Sequence, residues 1–501
     1  MNGLEEREHI IYMGFPGERP PYHVYEAVQI FNDCGAFPVL VPNSASPQDA
    51  CGDNRSGIWL AKDSVRAEIP AFETVGEKTA HKLQKREIYK IMCQFTGYHS
   101  PWGCMTGVRP AKIVNSLLRS GMTPDEAVRE LKAFYLASPE KAELAVETAC
   151  NQERFLQQQR RHPENAAVYV GIPFCPTRCL YCSFPSHPIG KYVKSVDRYL
   201  TLLEQELDAV IPAVRNHGLR IESLYVGGGT PTALEEEQFR TLLNILMHTV
   251  GTEGLAEFSL EAGRPDSITA AKLEAAREAG VTRISINPQT MNNDTLELIG
   301  RRHTAEETEQ AYFLARTAGF RNINMDVIAG LPGESPEDFA ETLNRIAGLR
   351  PDALTVHTLS VKRAADLKRD ARAALLRHDV TGKMLSLSRT AAREMGMIPF
   401  YMYRQKNMLG NHENVSYCRP GCESPYNIHI MEEDQTIFAF GAGGVSKLSV
   451  PVPDAEPNIL RSFNVKSVED YLARSGEMAE RKLRLLSASL EGPELTGAFS
   501  L

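Results

Sequence analysis

No stretch of the 501 residues approaches the roughly 20 consecutive apolar positions that a membrane helix needs. The opening run Met1-Asn-Gly-Leu-Glu-Glu-Arg-Glu-His9 likewise lacks the apolar core of a secretion signal. A basic excess is missing too. Against 55 Lys and Arg stand 63 Asp and Glu, for a net charge of −8 with the signs interspersed, so there is no nucleic-acid footprint. No unit recurs at a regular spacing, which excludes a solenoid. These absences predict a cytoplasmic chain with neither membrane nor nucleic acid as partner. At 43% hydrophobic and 24% charged residues, the composition is that of a soluble globular protein, long enough for two or three domains.

Ten cysteines are present, yet they do not resemble the dense disulfide framework of a small secreted domain. Three of them fall together, in Tyr169-Val-Gly-Ile-Pro-Phe-Cys-Pro-Thr-Arg-Cys-Leu-Tyr-Cys182. Cys175, Cys179 and Cys182 follow an apolar, strand-like stretch at C-x3-C-x2-C spacing. Three thiolates on one short loop suit three irons of a 4Fe–4S cubane. No fourth cysteine lies nearby, so one iron is left open to bind a small molecule. That pattern is the signature of radical S-adenosylmethionine (SAM) chemistry, in which a reduced cluster cleaves SAM to methionine and a 5′-deoxyadenosyl radical. A structural zinc site, with His187 as fourth ligand, is the competing reading. Cys418 and Cys422 form a second C-x3-C pair, too few for a cubane; with Cys34, Cys51, Cys93, Cys104 and Cys150 they read as incidental thiols.

Three regions are expected. Residues 1–160 form an N-terminal α/β region with strand-like runs at 9–13, 37–41 and 57–60. Helices start at Thr123-Pro-Asp-Glu126 and Ser138-Pro-Glu-Lys141, where a hydroxyl cap precedes a proline. The polar stretch 157–165 reads as a linker. From 166 to 360, strands at 168–172, 223–226, 257–261, 283–286, 323–328 and 354–359 alternate with helices at 193–214, 234–250, 268–279, 305–318 and 336–348. Six such units imply an α/β fold with a parallel sheet, curled as a partial (β/α)6 barrel or opened as a doubly wound sheet. Residues 361–501 look like a mixed helical domain, with a helix at 382–396 and paired strands at 426–430 and 436–440.

The polar motifs fall where these strands end. Gly227-Gly-Gly-Thr-Pro-Thr232 follows the second, Glu261 closes the third, Gln289 lies past the fourth, and Asp326 sits in the fifth. In parallel barrels and open α/β sheets that edge holds the ligand. Three glycines let backbone groups approach a ligand directly. Glu261 suits SAM's ribose hydroxyls or amine, or a salt bridge. Asp326 in an apolar strand is costly to bury unpaired. Gln289 and Arg301 suit carboxylates, with plain solvation as the alternative, and His357 could face the site, though a hydrogen-bonded core histidine is the favoured reading.

The sequence Y-x-x-I-P-F-C-x3-C-x-Y-C, then G-G-G-T-P-T, Gln289 and Asp326-Val-Ile-Ala-Gly-Leu-Pro-Gly333 resembles the radical SAM oxygen-independent coproporphyrinogen III oxidases (dehydrogenases). The long N-terminal extension, Thr106-Gly-Val-Arg-Pro110 and Tyr401-Met-Tyr-Arg-Gln-Lys-Asn407 are most similar to the HemZ-like branch. The resemblance implies a radical SAM barrel and oxidative decarboxylation of two propionates of coproporphyrinogen III to vinyls, giving protoporphyrinogen IX for heme biosynthesis. It implies a 4Fe–4S cluster on Cys175, Cys179 and Cys182, two SAM molecules, a flavodoxin- or ferredoxin-type electron donor, and a substrate-covering role for 361–501. By the same analogy Tyr169, Gly228 and Glu261 contact the first SAM. Tyr181, Gly229, Thr230, Gln289, Arg301 and Asp326 contact the second, whose pocket Ser360 completes. Tyr401, Arg404 and Lys406 could hold the propionates, Arg and Lys being suited to carboxylates; a basic surface turn is the alternative. Three positions depart from the family pattern: Gly171 replaces a histidine, and Ser183-Phe184 replaces Gly-Cys. The rival functions are a heme chaperone carrying the cluster, and a radical SAM tetrapyrrole methyltransferase or heme-opening enzyme.

Overall fold

Apolar and polar residues alternate along the barrel strands, and that alternation sorts the two faces of the sheet. The computed structural model describes residues 10–15, 21–31, 37–42, 58–62, 65–69, 72, 74–107, 109–184, 186–360, 362, 365–370, 380–405, 408–450, 452 and 457–488. They belong to two compact units, Met1–Glu147 with Arg404–Glu413, and Thr148–Tyr403 with Asn414–Leu501. Among the described residues no helix is long and apolar enough to cross a membrane.

In the first unit, strands β1 (Ile10–Phe15), β2 (Phe37–Pro42), β3 (Ile58–Lys62) and β4 (Val65–Ile69) form a sheet of order β2-β1-β3-β4. Three of these coincide with the expected runs; β4, antiparallel to β3, escaped the sequence reading. The helix Pro124–Ala133 begins as expected. Thr123 Oγ1 accepts from the Glu126 N–H at 3.3 Å, and the Glu126 carboxylate accepts from the Thr123 N–H at 2.8 Å. Arg404, expected as a propionate ligand or a basic surface turn, is not at the surface. It is buried, over the Trp102 ring, and donates to the carbonyls of Met105 and Asn411. Burial lowers its pKa to about 10. The other candidate, Lys406, lies outside the described residues.

The expected linker at 157–165 is a correction. The helix Pro139–Arg161 runs through most of it, because glutamine and arginine are good helix formers. Gln159 is buried there and donates to the Asn165 carbonyl.

The second unit is built on β5 (Asn165–Ile172), β8 (Arg220–Gly228), β9 (Glu257–Glu261), β10 (Arg283–Ser285), β11 (Ile323–Ala329) and β12 (Ala353–Thr358), the six expected strands, all parallel. A two-residue pair, β6 (Phe174–Cys175) and β7 (His187–Pro188), brackets the cysteine loop. Further strands extend both edges: β13 (Ile398–Tyr403) and β14 (Asn414–Cys418) on one side, β15 (Thr436–Phe440), β16 (Val445–Val450) and β17 (Asn458–Phe463) on the other. The order is β13-β14-β12-β11-β10-β9-β8-β5-β15-β16-β17, so the sheet does not close on itself. The strands after residue 361 thus join the barrel's own sheet. The expected strand at 426–430 is a helix, Pro425–Glu432. Ser424 caps it, accepting from the Asn427 N–H, and Pro425 occupies the first turn; those start signals outweigh the alternating pattern.

Phe258, Leu260, Ile284, Met325 and Val327 are fully or almost fully buried. The alternate positions form a polar column instead. Thr355 donates to Asn324, whose amide donates to Ser285 and to Asp326. At the opposite edge, Glu206 and Lys482 pair at 2.6 Å with fully buried side chains, anchoring the C-terminal helix Val468–Ala488. The backbone N–H of Gly441 also donates to Glu206.

Candidate functional site

The cysteine loop leaves β5 at the C-terminal edge of the parallel strands, as a tightly tethered structure. The Gly229 N–H donates to the Ile172 carbonyl and the Thr230 N–H to the Phe174 carbonyl, both at 2.7 Å. Those bonds dock the Gly227–Thr230 turn on the loop's first limb. Its second limb is tied to residues 299–301: the Leu180 N–H donates to the Ile299 carbonyl, and Arg301 reaches Tyr181 Oη at 3.1 Å. Arg301 also donates to the carbonyls of Gly263 and Asn287, at 2.7 and 2.6 Å. Its guanidinium therefore clamps three loops of the site together.

Cys175, Cys179 and Cys182 are free thiols. Among the described residues no three His, Cys, Asp or Glu side chains are gathered to hold one metal ion. A cubane asks for a different arrangement, since each thiolate takes a separate iron corner. The thiols do sense each other: burial pushes Cys175 up to about 11, and Cys182 and Cys179 add to the rise. Burial raises Cys182 in the same way. Buried thiols of this kind ionise readily only beside a cation such as iron. The donor set and the loop geometry fit a cluster.

Above the loop the glycines are sterically required. A Cβ on Gly229 would lie 2.4 Å from the Phe174 carbonyl oxygen, and one on Gly227 would lie 2.7 Å from Glu261 Cδ. Glu261 accepts from Tyr225 Oη at 2.7 Å. Burial, reinforced by the charge of Asp326, raises Glu261 to about 7 despite the tyrosine's donation. Burial opposes ionisation of Asp326 as well, but His357, 3.5 Å away, and Asn324 outweigh it and hold the carboxyl below its usual range. Gln289 has φ +68, a conformation secured by two backbone bonds, from its N–H to the Asp326 carbonyl and from the Ile328 N–H to its own carbonyl. Its Oε1 is buried without a partner among the described residues. A residue at positive φ whose backbone is bonded to Asp326 and whose side-chain oxygen has no partner fits a ligand rich in hydroxyl and ammonium donors, as SAM is.

Tyr169 stacks on Tyr225 and Tyr426, with ring centroids 6.2 and 6.3 Å away. Its hydroxyl lies 3.2 Å from where a Cβ of Gly228 would be. Thr230 Oγ1 is 3.5 Å from the Cys175 sulfur. Ser360 follows β12 and is half-buried. Gly171 stands where the Ala442 and Phe440 carbonyls approach to 3.2 and 3.4 Å of a Cβ position, so the added strand β15 leaves little room for the histidine of the family pattern.

The sequence reading missed Arg264 and Tyr225. Arg264 is 3% exposed, donates to the Thr177 carbonyl and hydroxyl at 3.0 Å, and lies 4.0 Å from the Cys179 sulfur. Its position three residues past Glu261, at the same strand end, was the available signal. His357, for which facing the site was the less favoured of two readings, lies 3.5 Å from Asp326.

An open parallel barrel with a cysteine triplet after its first strand is the architecture of radical SAM proteins, and the model of the radical SAM superfamily matches residues 169–346. The oxygen-independent coproporphyrinogen-III oxidase-like protein HemZ of Bacillus subtilis is 38% identical over 422 residues, 83% of each chain. The heme chaperone HemW of the same organism is 31% identical over 281 residues, covering 55% of this chain and 69% of the chaperone. The solved structure of coproporphyrinogen III oxidase (HemN) from Escherichia coli, a radical SAM enzyme, matches with a TM-score of 0.52 at 27% identity, over 65% of this chain and 73% of that one. This chain belongs to the radical SAM oxygen-independent coproporphyrinogen III oxidase family, in its HemZ-like branch. The family implies a 4Fe–4S cluster and SAM.

Proposed function

We propose that the protein oxidatively decarboxylates two propionates of coproporphyrinogen III, producing protoporphyrinogen IX. The observation that carries this reading is that Glu261 and Asp326 sense each other's charge, while Gln289, whose N–H donates to the Asp326 carbonyl, has an Oε1 with no partner among the described residues. Those acceptors suit the ribose and ammonium of SAM. Cluster and SAM together supply hydrogen abstraction from unactivated carbon. The chain's own residues bind, orient and exclude water: Cys175, Cys179 and Cys182 hold the cluster, while Tyr169, Gly228 and Glu261 meet the first SAM. Tyr181, Gly229, Thr230, Gln289 and Asp326 face a second, with Ser360 at its rim. Arg301 serves that pocket by fixing its loops. The region after 361 covers the tetrapyrrole, and a flavodoxin- or ferredoxin-type protein in the cytoplasm delivers the electron.

Anaerobic incubation of reconstituted protein with SAM, reductant and coproporphyrinogen III tests this reading by product mass. Loss of two carbon dioxide molecules per substrate is expected. The 31% identity to a heme chaperone supports the second reading. Under that one no carbon dioxide appears, and the protein instead binds heme and passes it to an acceptor.

Glu261 gives a pH signature. Its ionised form is the better acceptor, and it protonates near pH 7. SAM affinity should therefore be full above pH 8 and about ten-fold lower at pH 6. Equilibrium dialysis across that range checks it, with Glu261→Gln expected to flatten the profile. An identical slope in that variant removes Glu261 from SAM binding.

A further inference from the structure

A second polar site lies at the other end of the parallel strands. A cavity of about 390 Å³ opens there, within the second unit. Glu257 and Arg283, the first residues of β9 and β10, line it, with Asn322 just ahead of β11 and Arg154, Phe155 and Glu423 around them. Its volume falls within the usual range for small-molecule pockets, roughly 300–1,000 Å³.

Hydrogen-bond accounting leaves this cavity with a surplus. Glu257 accepts from the Ser259 and Ser424 hydroxyls at 2.5 and 2.6 Å, and from the Tyr426 N–H at 2.9 Å. Glu423 accepts from the Gly421 N–H at 2.9 Å and pairs with Arg154 at 2.6 Å. Glu222, also on the wall, accepts from Gln158 and Gln435. Every acid is thus provided with donors. Arg283 is the exception among these charged groups. It is 2% exposed, yet its guanidinium makes no hydrogen bond or ion pair with another described residue, and its Nε is buried and unpartnered. Asn322 donates to the Cys422 carbonyl, but its Oδ1 is buried without a donor among the described residues. A buried guanidinium left without an acceptor is strongly unfavourable.

We propose that this cavity binds a small α-hydroxy or α-amino monocarboxylic acid. The carboxylate meets the Arg283 guanidinium, whose fork matches its two oxygens. The adjacent hydroxyl or ammonium donates to Asn322 Oδ1. A monoanion suits a guanidinium that has no hydrogen-bonded acceptor among the described residues and whose charge already reaches Glu261 and Asp326. A phosphate dianion would bring a second charge against Glu222, Glu257 and Glu423. The cavity opens at the N-terminal strand ends, whereas the cysteine loop and Glu261 lie at the C-terminal ends; the Arg283 charge nevertheless reaches Glu261 and Asp326 and favours their ionised forms.

Isothermal titration of the SAM-saturated, reconstituted full chain tests the proposal, with L-lactate, acetate and inorganic phosphate as probes. Lactate should bind one to one, at least several-fold tighter than acetate, and phosphate more weakly than either. Arg283→Gln should lower lactate affinity by at least about ten-fold, the value of a charged hydrogen bond. Asn322→Ala should bring lactate down to the level of acetate while cluster content and SAM cleavage stay at wild-type levels. This second variant decides the matter if Arg283→Gln does not fold. No binding of either acid at tens of millimolar overturns the proposal. So does lactate binding that neither substitution changes, or phosphate binding tighter than lactate.

Discussion

Replacing any one of Cys175, Cys179 or Cys182 by alanine is expected to remove the iron–sulfur cluster and with it all SAM cleavage. Wild-type protein reconstituted without oxygen should hold about four irons and four sulfides per chain, and each variant close to none. The expectation is severe because three thiolates are the whole protein contribution to a cubane with one open iron. The control is internal to the chain. Cys418 is buried at the end of β14 and Cys422 lies four residues on, and burial raises both thiols. Cys418→Ala and Cys422→Ala should keep the brown colour and SAM cleavage. Colour lost in this pair and kept in the triplet variants would reverse the assignment.

The second large effect is expected at Gly229. An alanine methyl there would stand 2.4 Å from the Phe174 carbonyl oxygen and 2.8 Å from both the Ile172 oxygen and the Phe174 nitrogen. All three are backbone atoms of the limb that leads into Cys175, so none can swing aside. The turn and the cysteine loop must separate. A displacement of about 1 Å at a reacting centre costs on the order of a hundred-fold in rate, and SAM cleavage by Gly229→Ala should fall by at least that much. Gly227→Ala makes the informative contrast. Its methyl would meet the Glu261 carboxyl at 2.7 Å, a side chain that can rotate away. That variant should keep its full iron content and lose SAM affinity instead. Equal iron loss in both variants would show that the turn acts as one rigid block.

The barrel was legible in the sequence because its strands bury one face wholly. Runs such as Ile323–Ala329 alternate Ile, Met and Val with Asn and Asp, and the helix that follows is announced by Ser335-Pro336. Local chemistry of this kind needs no tertiary context. Legibility failed where two local signals competed. The run from Pro425 to Glu432 has a strand-like alternation, yet Ser424 and Pro425 supply a helix start and prevail. Val65–Ile69 was missed although its five residues alternate apolar and polar; its antiparallel pairing with β3 is what the tertiary structure adds.

At the site, residue type and chain position alone marked the cysteine triplet, the glycine turn, Glu261, Gln289 and Asp326, since each follows or ends a strand. Which groups each would touch was another matter. That Arg301 spends its donors on Tyr181 and two carbonyls depends on three loops that come together only when the sheet forms. That Arg404 is buried against Trp102 and two carbonyls depends on a contact nearly 300 residues apart in the chain. Arg264, Tyr225 and Arg283 were unremarkable in sequence for the same reason. A charged or phenolic side chain takes its role from partners that are distant along the chain. The sequence alone marked the candidate site and the strands that end at it, because backbone patterning and cysteine spacing are local. The tertiary structure alone decided which polar groups are satisfied and which are left waiting for a ligand, because burial and hydrogen-bond partnership are properties of the packed whole.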